Sequence, residues 1–337
     1  MKILVIKRDK LGDLLLTTPL FAHLRASLPD AQIHLLANDY NAWVASGHPA
    51  LDRTWIYPRT RMGSAVRFGA VFRQMGLLWQ LRRLRYEVAI VAQGEFSPRA
   101  VQRALWVGAR RTIAYVPSGE RLSRVVSNPL DPPTGGHETN RILALSAPLG
   151  IAPPGRLLYP TFDLPPASQD FARDWLAEKG LRPQGYIVFG LGARRSRKQP
   201  GADQIERWTT TLKEKHGLDT VFMWTPGGSN NPLYPGDDEA AQAVLARKLP
   251  HLYPYRGPIQ EALGLVWTAR TSMFPDSGLM HFAAASPGGV LGLFAEPAAH
   301  VEEWAPCGPR AAYLAARETV AEFGDEQVYA ALAPLLA

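Results

Sequence analysis

The feature that most constrains this chain is a repeated alternation of short apolar runs with longer amphipathic stretches, the pattern of a parallel β-sheet with crossover helices. In the first half the runs fall at residues 3–6 (ILVI), 33–36, 55–57, 88–91 and 112–115, each followed by a helix-compatible segment. An extended, proline-marked stretch at 157–166 (LLYPTFDLPP) then interrupts the pattern. After a helix at 168–179 the runs resume at 186–189, 220–224, 272–274, 290–294 and 311–314, and the chain ends in a helix at 325–336. The expected fold is α/β: two doubly wound domains, 1–160 and 167–320, followed by a C-terminal helical segment, 321–337. Ligands of such sheets bind beyond the carboxyl ends of the strands, so the site is expected in a cleft between the domains.

A chain of 337 residues is long enough for two domains of ordinary size. Its single cysteine, Cys307, excludes an internal disulfide and any cysteine-rich zinc site. No window approaches the ~20 uninterrupted apolar residues of a membrane span, and the first apolar run is too short for a secretion signal. A cytoplasmic protein is expected. Charge is uneven: residues 1–160 hold 21 Lys and Arg against 10 Asp and Glu, whereas 161–337 hold 16 against 20. A basic first half implies an anionic partner or a merely solvated surface. Nucleic acid is not expected, because no RNP, zinc-finger or helix-turn-helix pattern is present.

Three strand ends carry the candidate chemistry. In KRDKLGDLLLTTP (7–19), Gly12 permits close approach of a ligand, and Asp13 either caps a helix or acts as a base. That helix starts either near Gly12, running through Pro19, or at Thr18 with Pro19 in its first turn. In FGLGARRSRKQPGADQIERW (189–208), a glycine-rich turn at Gly192 holds Arg194, Arg195, Arg197 and Lys198 before a helix with an expected capping box from Asp203 to Glu206. Such a turn is either a chance basic loop or a phosphate site. It lacks the GxxxxGK[ST] spacing of a P-loop. In SMFPDSGLMHFAAA (272–285), Asp276 precedes Ser277, Gly278 and Leu279, whose hydroxyl and N–H groups open a helix and suit phosphate oxygens. His281, one turn on, either faces the same ligand or is structural.

Two further segments have a structural and a functional reading. The Asp-Asp pair ending the loop TPGGSNNPLYPGDDE (225–239) is expected to be a solvated helix start rather than a metal site. The basic, aromatic segment RFGAVFRQMGLLWQLRRLRY (67–86) is expected to be a surface helix with its apolar face to the core, the alternative being a membrane-contacting helix.

Taken together and in order, these elements resemble glycosyltransferase family 9, the ADP-heptose:lipopolysaccharide heptosyltransferases. The resemblance spans nearly the whole chain. It is carried by ILVIKRDKLGDLLLTTPLFAHLRASLPDAQIHLL, by VAIVAQGEFSPRAVQRALWVGARRTIAY, by HETNRILALSAPLGI, by DSGLMHFAAA and by LFAEPAAHVEEWAPCGPR.

The resemblance implies a GT-B fold, two Rossmann-like domains facing across a cleft, with acceptor on the first and nucleotide sugar on the second. It implies an inverting, metal-independent transfer that needs no cofactor beyond its co-substrate, ADP-heptose. By position, Asp13 is the general base and Lys198 contacts the donor's phosphates or the acceptor. Gly192, Arg194, Lys198, Asp276, Ser277, Gly278, Leu279 and His281 form the donor site. The implied acceptor is an anionic glycolipid, a Kdo- or heptose-bearing lipid A core at the cytoplasmic face of the inner membrane. Lys7, Lys10, Gly12, Arg59, Arg61, Arg99 and Arg121 are its candidate contacts. Three segments depart from the family pattern: QPGADQ follows Lys198 where the family has Trp-Pro, AEP replaces Gly-x-Thr after the late strand, and the loop at 225–239 is longer. A different nucleotide sugar, carrying a hexose or N-acetylhexosamine, is the alternative. A nucleotide-sugar epimerase or hydrolase of similar fold is the more distant one.

Overall fold

The computed structural model describes residues 1–8, 10–62, 65–66, 68–192, 195–230 and 236–337; at 61, 62, 65 and 66 it describes the backbone only. The chain divides into two compact units, Met1–Phe162 and Asp163–Ala337.

In the first unit, β1 (Lys2–Ile6) leads through α1 (Leu11–Leu15) and α2 (Thr18–Ser27) to β2 (Gln32–Asn38) and β3 (Arg53–Tyr57). A small hairpin, β4 (Arg61–Met62) with β5 (Ala65–Val66), precedes α3 (Phe68–Arg83). Then follow β6 (Val88–Val91), α4 (Pro98–Val107), β7 (Arg111–Tyr115), β8 (Asn128–Leu130) and α5 (Glu138–Ala144). The six long-sheet strands are parallel and run in the order β3-β2-β1-β6-β7-β8. Strands β1 and β6 are nearly uninterrupted apolar runs because helices cover both faces of a sheet of this kind. One face buries Leu4, Ile6, Ala89 and Val91 against Leu81 of α3 and Ala100, Val101 and Ala104 of α4.

In the second unit, α6 (Pro166–Lys179) precedes β9 (Tyr186–Gly190), α7 (Ala202–His216), β10 (Asp219–Met223), α8 (Asp238–Leu245) and β11 (Leu252–Tyr255). After α9 (Ile259–Thr268) come β12 (Ser272–Pro275), α10 (Gly278–Ala285), β13 (Val290–Phe294), α11 (Ala298–Trp304), β14 (Ala311–Ala315) and α12 (Asp325–Leu336). The strands again lie parallel, in the order β11-β10-β9-β12-β13-β14. Fully buried Trp208 of α7 donates its indole N–H to Asp325 Oδ1 at 2.7 Å, fastening α12 to the core that Leu332 and Leu335 also join. Gly190 ends β9 where any side chain would collide with the Phe274 ring.

Both sheets therefore change direction once, between β1 and β6 and between β9 and β12. Those are the topological switch points where a doubly wound sheet opens a crevice. Every expected strand is present. The strands that the sequence pattern does not announce are β8, β11 and the hairpin, and β8 and β11 each contain a proline. Both are edge strands, where a missing N–H leaves no ladder bond unmade.

Candidate functional site

At the switch point of the first unit, the segment after β1 is held from two sides. Lys7 continues the sheet, its N–H donating to Leu36 O at 3.1 Å. Its side chain is only 1% exposed, and Nζ lies 3.5 Å from Glu138 Oε1 at the start of α5. Lys7, expected as a contact of the acceptor, is instead buried: a buried ammonium needs a counter-charge, and Glu138 supplies one. The same Glu138 oxygen accepts the N–H of Gly94, just past β6, at 3.1 Å. Gly94 has no Cβ because one would overlap the Glu138 carboxylate. From the other side, Asn38 at the end of β2 donates to Arg8 O at 2.7 Å.

Both expected helix starts are found, but in two separate helices, and the first does not run through Pro19. Leu11–Leu15 forms one helix, the chain breaks at Leu16 and Thr17, and α2 begins at Thr18 with Pro19 in its first turn, where no N–H is required. Asp13 is the third residue of α1, and its Oδ2 accepts the Lys10 N–H at 2.9 Å. The carboxylate is thus oriented as a cap while its residue stays partly exposed. Capping and service as a base are compatible, since one bond to Oδ2 leaves acceptor capacity on a carboxylate. Gly12 is buried and Lys10 exposed.

Of the other candidate acceptor contacts, Arg59 donates from Nε to Asp39 Oδ1 at 2.9 Å and lies over the Tyr40 ring, 4.8 Å from its centroid. Arg99, in the first turn of α4, and Arg121, in a short 3-10 turn, are exposed. The Arg61 side chain lies outside the described residues.

At the switch point of the second unit, the 3-10 turn Ser196–Lys198 follows β9 and meets the ends of β12 and β13. Lys198 Nζ lies 2.7 Å from Asp276 Oδ2 and 2.8 Å from Glu296 Oε1. Glu296 Oε2 also receives Arg197 at 2.7 Å, and Oε1 receives Arg195 at 3.4 Å. Arg197 reaches Ala295 O as well. His300 of α11 donates from Nε2 to Asp276 Oδ2 at 2.9 Å. Burial opposes ionisation of Glu296, but the bonds from Lys198 and Arg197 outweigh it and hold the carboxyl down at about 2. Asp276 is likewise held below its ordinary range: burial works against it, and Lys198 and His300 prevail. Among the described residues, Asp276, Glu296 and His300 bring ligand atoms within 4.8 Å of one another, close enough to hold a metal ion. The Lys198 ammonium sits against two of the three. Arg194 lies outside the described residues.

Ser277 is the N-cap of α10, yet its Oγ is buried with no hydrogen-bond partner among the described residues. Gly278 is exposed and Leu279 half-buried, so the first N–H groups of this helix are approachable. His281 is buried, its ring 6.3 Å from that of Trp304. Gly192 stands near Thr225, in the turn after β9.

The expected capping box from Asp203 to Glu206 is absent: the cap of α7 lies two residues earlier, at Gly201, whose N–H donates to Gln204 Oε1 at 3.1 Å. The Asp-Asp pair is not simply solvated either. Asp237 is buried, accepts from Gln199 Nε2 at 2.5 Å and from the Thr225 N–H at 3.1 Å, and burial raises its pKa. Asp238 takes the Trp224 indole N–H at 2.8 Å and the Gly227 N–H at 3.0 Å. These acids close the base of a loop whose middle, 231–235, lies outside the described residues.

Sequence reasoning did not single out Glu138, Asn38, Gln199, Glu296 or His300. For two of them a signal existed: Gln199 and Glu296 lie in the segments that depart from the family pattern.

The comparisons with known proteins bear on the family and the fold. The family model described as glycosyltransferase family 9 (heptosyltransferase) matches residues 75–332. Lipopolysaccharide heptosyltransferase 3 of Escherichia coli is 24% identical over 295 residues, 84% of this chain and 80% of that protein. The structure of a family 9 glycosyltransferase from Veillonella parvula superposes with a TM-score of 0.79 at 17% identity, over 99% of this chain and 97% of that one. The Escherichia coli ADP-heptose lps heptosyltransferase II gives 0.75 at 20% identity, over 100% and 98%. The fold is accordingly the GT-B fold of the heptosyltransferase structures. With its family model matched over most of its length, the chain belongs to glycosyltransferase family 9, the heptosyltransferases, and is a glycosyltransferase.

Proposed function

We propose that the chain transfers a heptosyl group from ADP-heptose to a hydroxyl of a Kdo- or heptose-bearing lipopolysaccharide inner core, with inversion and without a metal. The observation that carries this reading is the second switch point: Lys198 and Arg197 gathered beside the approachable N-terminus of α10, where Ser277 Oγ has no partner among the described residues. Cations, an unbonded hydroxyl and free N–H groups suit a diphosphate.

In the reaction the acceptor oxygen attacks the anomeric carbon as the bond from that carbon to the diphosphate oxygen breaks. Asp13 takes the acceptor's proton, a contribution of about 10²- to 10⁴-fold for general base catalysis. ADP leaves with the electron pair, and Lys198, Arg197 and the N–H groups of Gly278 and Leu279 meet its charge. Asp276 and His300 hold Lys198 in place, and His281 lines the donor side. Lys10, Arg59, Arg61, Arg99 and Arg121 attract the anionic acceptor. Lys7 acts from beneath, through Glu138 and Gly94, by fixing the segment that bears Gly12 and Asp13. An acceptor of this kind places the enzyme at the cytoplasmic face of the inner membrane, as a peripheral protein.

A second reading, another sugar nucleotide, is favoured by the two segments beside Lys198 that depart from the family pattern, QPGADQ, which begins with Gln199, and AEP, which contains Glu296. Incubating purified chain with a Kdo-lipid A acceptor and either ADP-heptose or UDP-hexoses distinguishes the two. ADP release with an added heptose on the acceptor, undiminished by chelator, is the expected result. Transfer only from UDP-sugars overturns the donor assignment, and product formed without acceptor overturns transfer itself.

A further inference from the structure

Helix α3 is apolar on two opposite faces. Ala70 and Leu81 are fully buried against the sheet, as a surface helix requires. Yet Phe68, Phe72, Met75 and Trp79 are 75%, 73%, 62% and 60% exposed. At about 100° per residue these four fall within an arc of roughly 60°, on the side away from Ala70 and Leu81. This corrects the expectation of an apolar face turned only to the core. A globular surface helix carries one apolar stripe, and a second one in water marks an interaction surface. Trp106 of neighbouring α4, 46% exposed, extends it, and Arg82 of α3 donates to the Trp106 carbonyl at 2.7 Å.

The charge around the stripe says what it meets. Between Asp52 and Glu87 the sequence holds eight arginines and not one acid. Arg73, Arg82 and Arg83 of α3 are exposed, and the Arg83 guanidinium lies over the Trp79 ring, 4.5 Å from its centroid. A docking protein helix would find no acidic partner residues here, whereas aromatic side chains rimmed by arginine suit a surface that is oily within and anionic without.

We propose that the outer face of α3 docks the chain on an anionic phospholipid bilayer. Phe68, Phe72, Met75 and Trp79 enter the boundary between headgroups and acyl chains, and Arg73 and Arg83 meet lipid phosphates. The docking rests on the proposed transfer to a lipid-linked acceptor for its purpose, but not for its geometry.

The test sediments the full chain with vesicles of phosphatidylcholine alone or mixed with phosphatidylglycerol, with no donor or acceptor present. The chain is expected to partition at least about tenfold more strongly onto the anionic vesicles, and less so as salt rises. Phe72→Ser with Trp79→Ser lowers that partition about tenfold or more. Arg73→Glu with Arg83→Glu removes the anionic preference while the apolar stripe stays. All four positions are exposed, and thermal melts confirm that the variants fold. Undiminished sedimentation of both variants, or no sedimentation of the wild type, overturns the proposal. So does a wild-type dimer on gel filtration that Phe72→Ser with Trp79→Ser renders monomeric, since a second copy would then cover the face. Transfer to a deacylated acceptor in solution is assayed apart: if the wild type fails there, the functional reading falls and the docking result stands.

Discussion

Lys198 Nζ and Glu296 Oε1 stand 2.8 Å apart, joining the turn after β9 to the end of β13. Glu296 also draws in Arg195 and Arg197, so one carboxylate collects three cations that a diphosphate would otherwise hold. In the proposed donor site it would both position them and compete with the diphosphate. Glu296→Gln is expected to tighten ADP binding about tenfold, equivalent to about 1.4 kcal/mol, by calorimetric titration. At the same time kcat should fall as the cations lose their fixed geometry. Weaker ADP binding in the variant would show that positioning outweighs competition.

The same carboxylate sets a pH dependence. Its pKa falls from 4.5 to about 2 on folding, so its contribution to stability is complete above pH 4.5 and is lost as pH drops toward 2. Asp276 acts in the same direction. Urea midpoints measured downward from about pH 6 should therefore decline in the acid range. In Glu296→Gln the decline should be shallower, and an identical slope would refute the linkage.

Asp13→Asn separates cap from base. The amide oxygen can still accept the Lys10 N–H, so the melting temperature should hold, while transfer falls at least about 100-fold. Retained transfer removes Asp13 from the reaction.

The buried pair beneath that segment is structural. Glu138→Ala takes a counter-charge from a lysine with almost no access to water, and the expected loss is about 3–5 kcal/mol in denaturant unfolding. Gly94→Ala should destabilise as well, because its methyl group meets the Glu138 carboxylate. A loss of less than about 1 kcal/mol in Glu138→Ala would mean that Lys7 is held chiefly by other contacts.

Ser277→Ala removes a hydroxyl that bonds nothing in the described structure. Stability should stay within about 0.5 kcal/mol, while ADP affinity drops about tenfold if Ser277 donates to phosphate. Unchanged affinity would remove Ser277 from the donor site.

The twelve long-sheet strands were mostly legible because buried parallel strands are continuous apolar runs, and the runs 3–6 and 186–189 needed no further argument. Strands β8 and β11 were not, since Pro129 and Pro254 mask an edge position that only the finished sheet reveals. Candidate residues at the strand ends stood out in the sequence where glycine and charge coincide, as at Gly12 and Asp13 or Asp276 and Gly278. Partners from distant sequence were not: nothing local to Glu138 says that it will sit under Lys7, 131 positions away. The α3 pattern reads as apolar, but which of its two apolar faces is covered depends on tertiary packing.

Each sheet closes within its own length of chain, and among the described residues no ladder bond joins a strand before Phe162 to one after Asp163. A crossover in the gene at that point would exchange whole sheets and sever none. Each half of the chain thus carries by itself all the strands that its sheet needs.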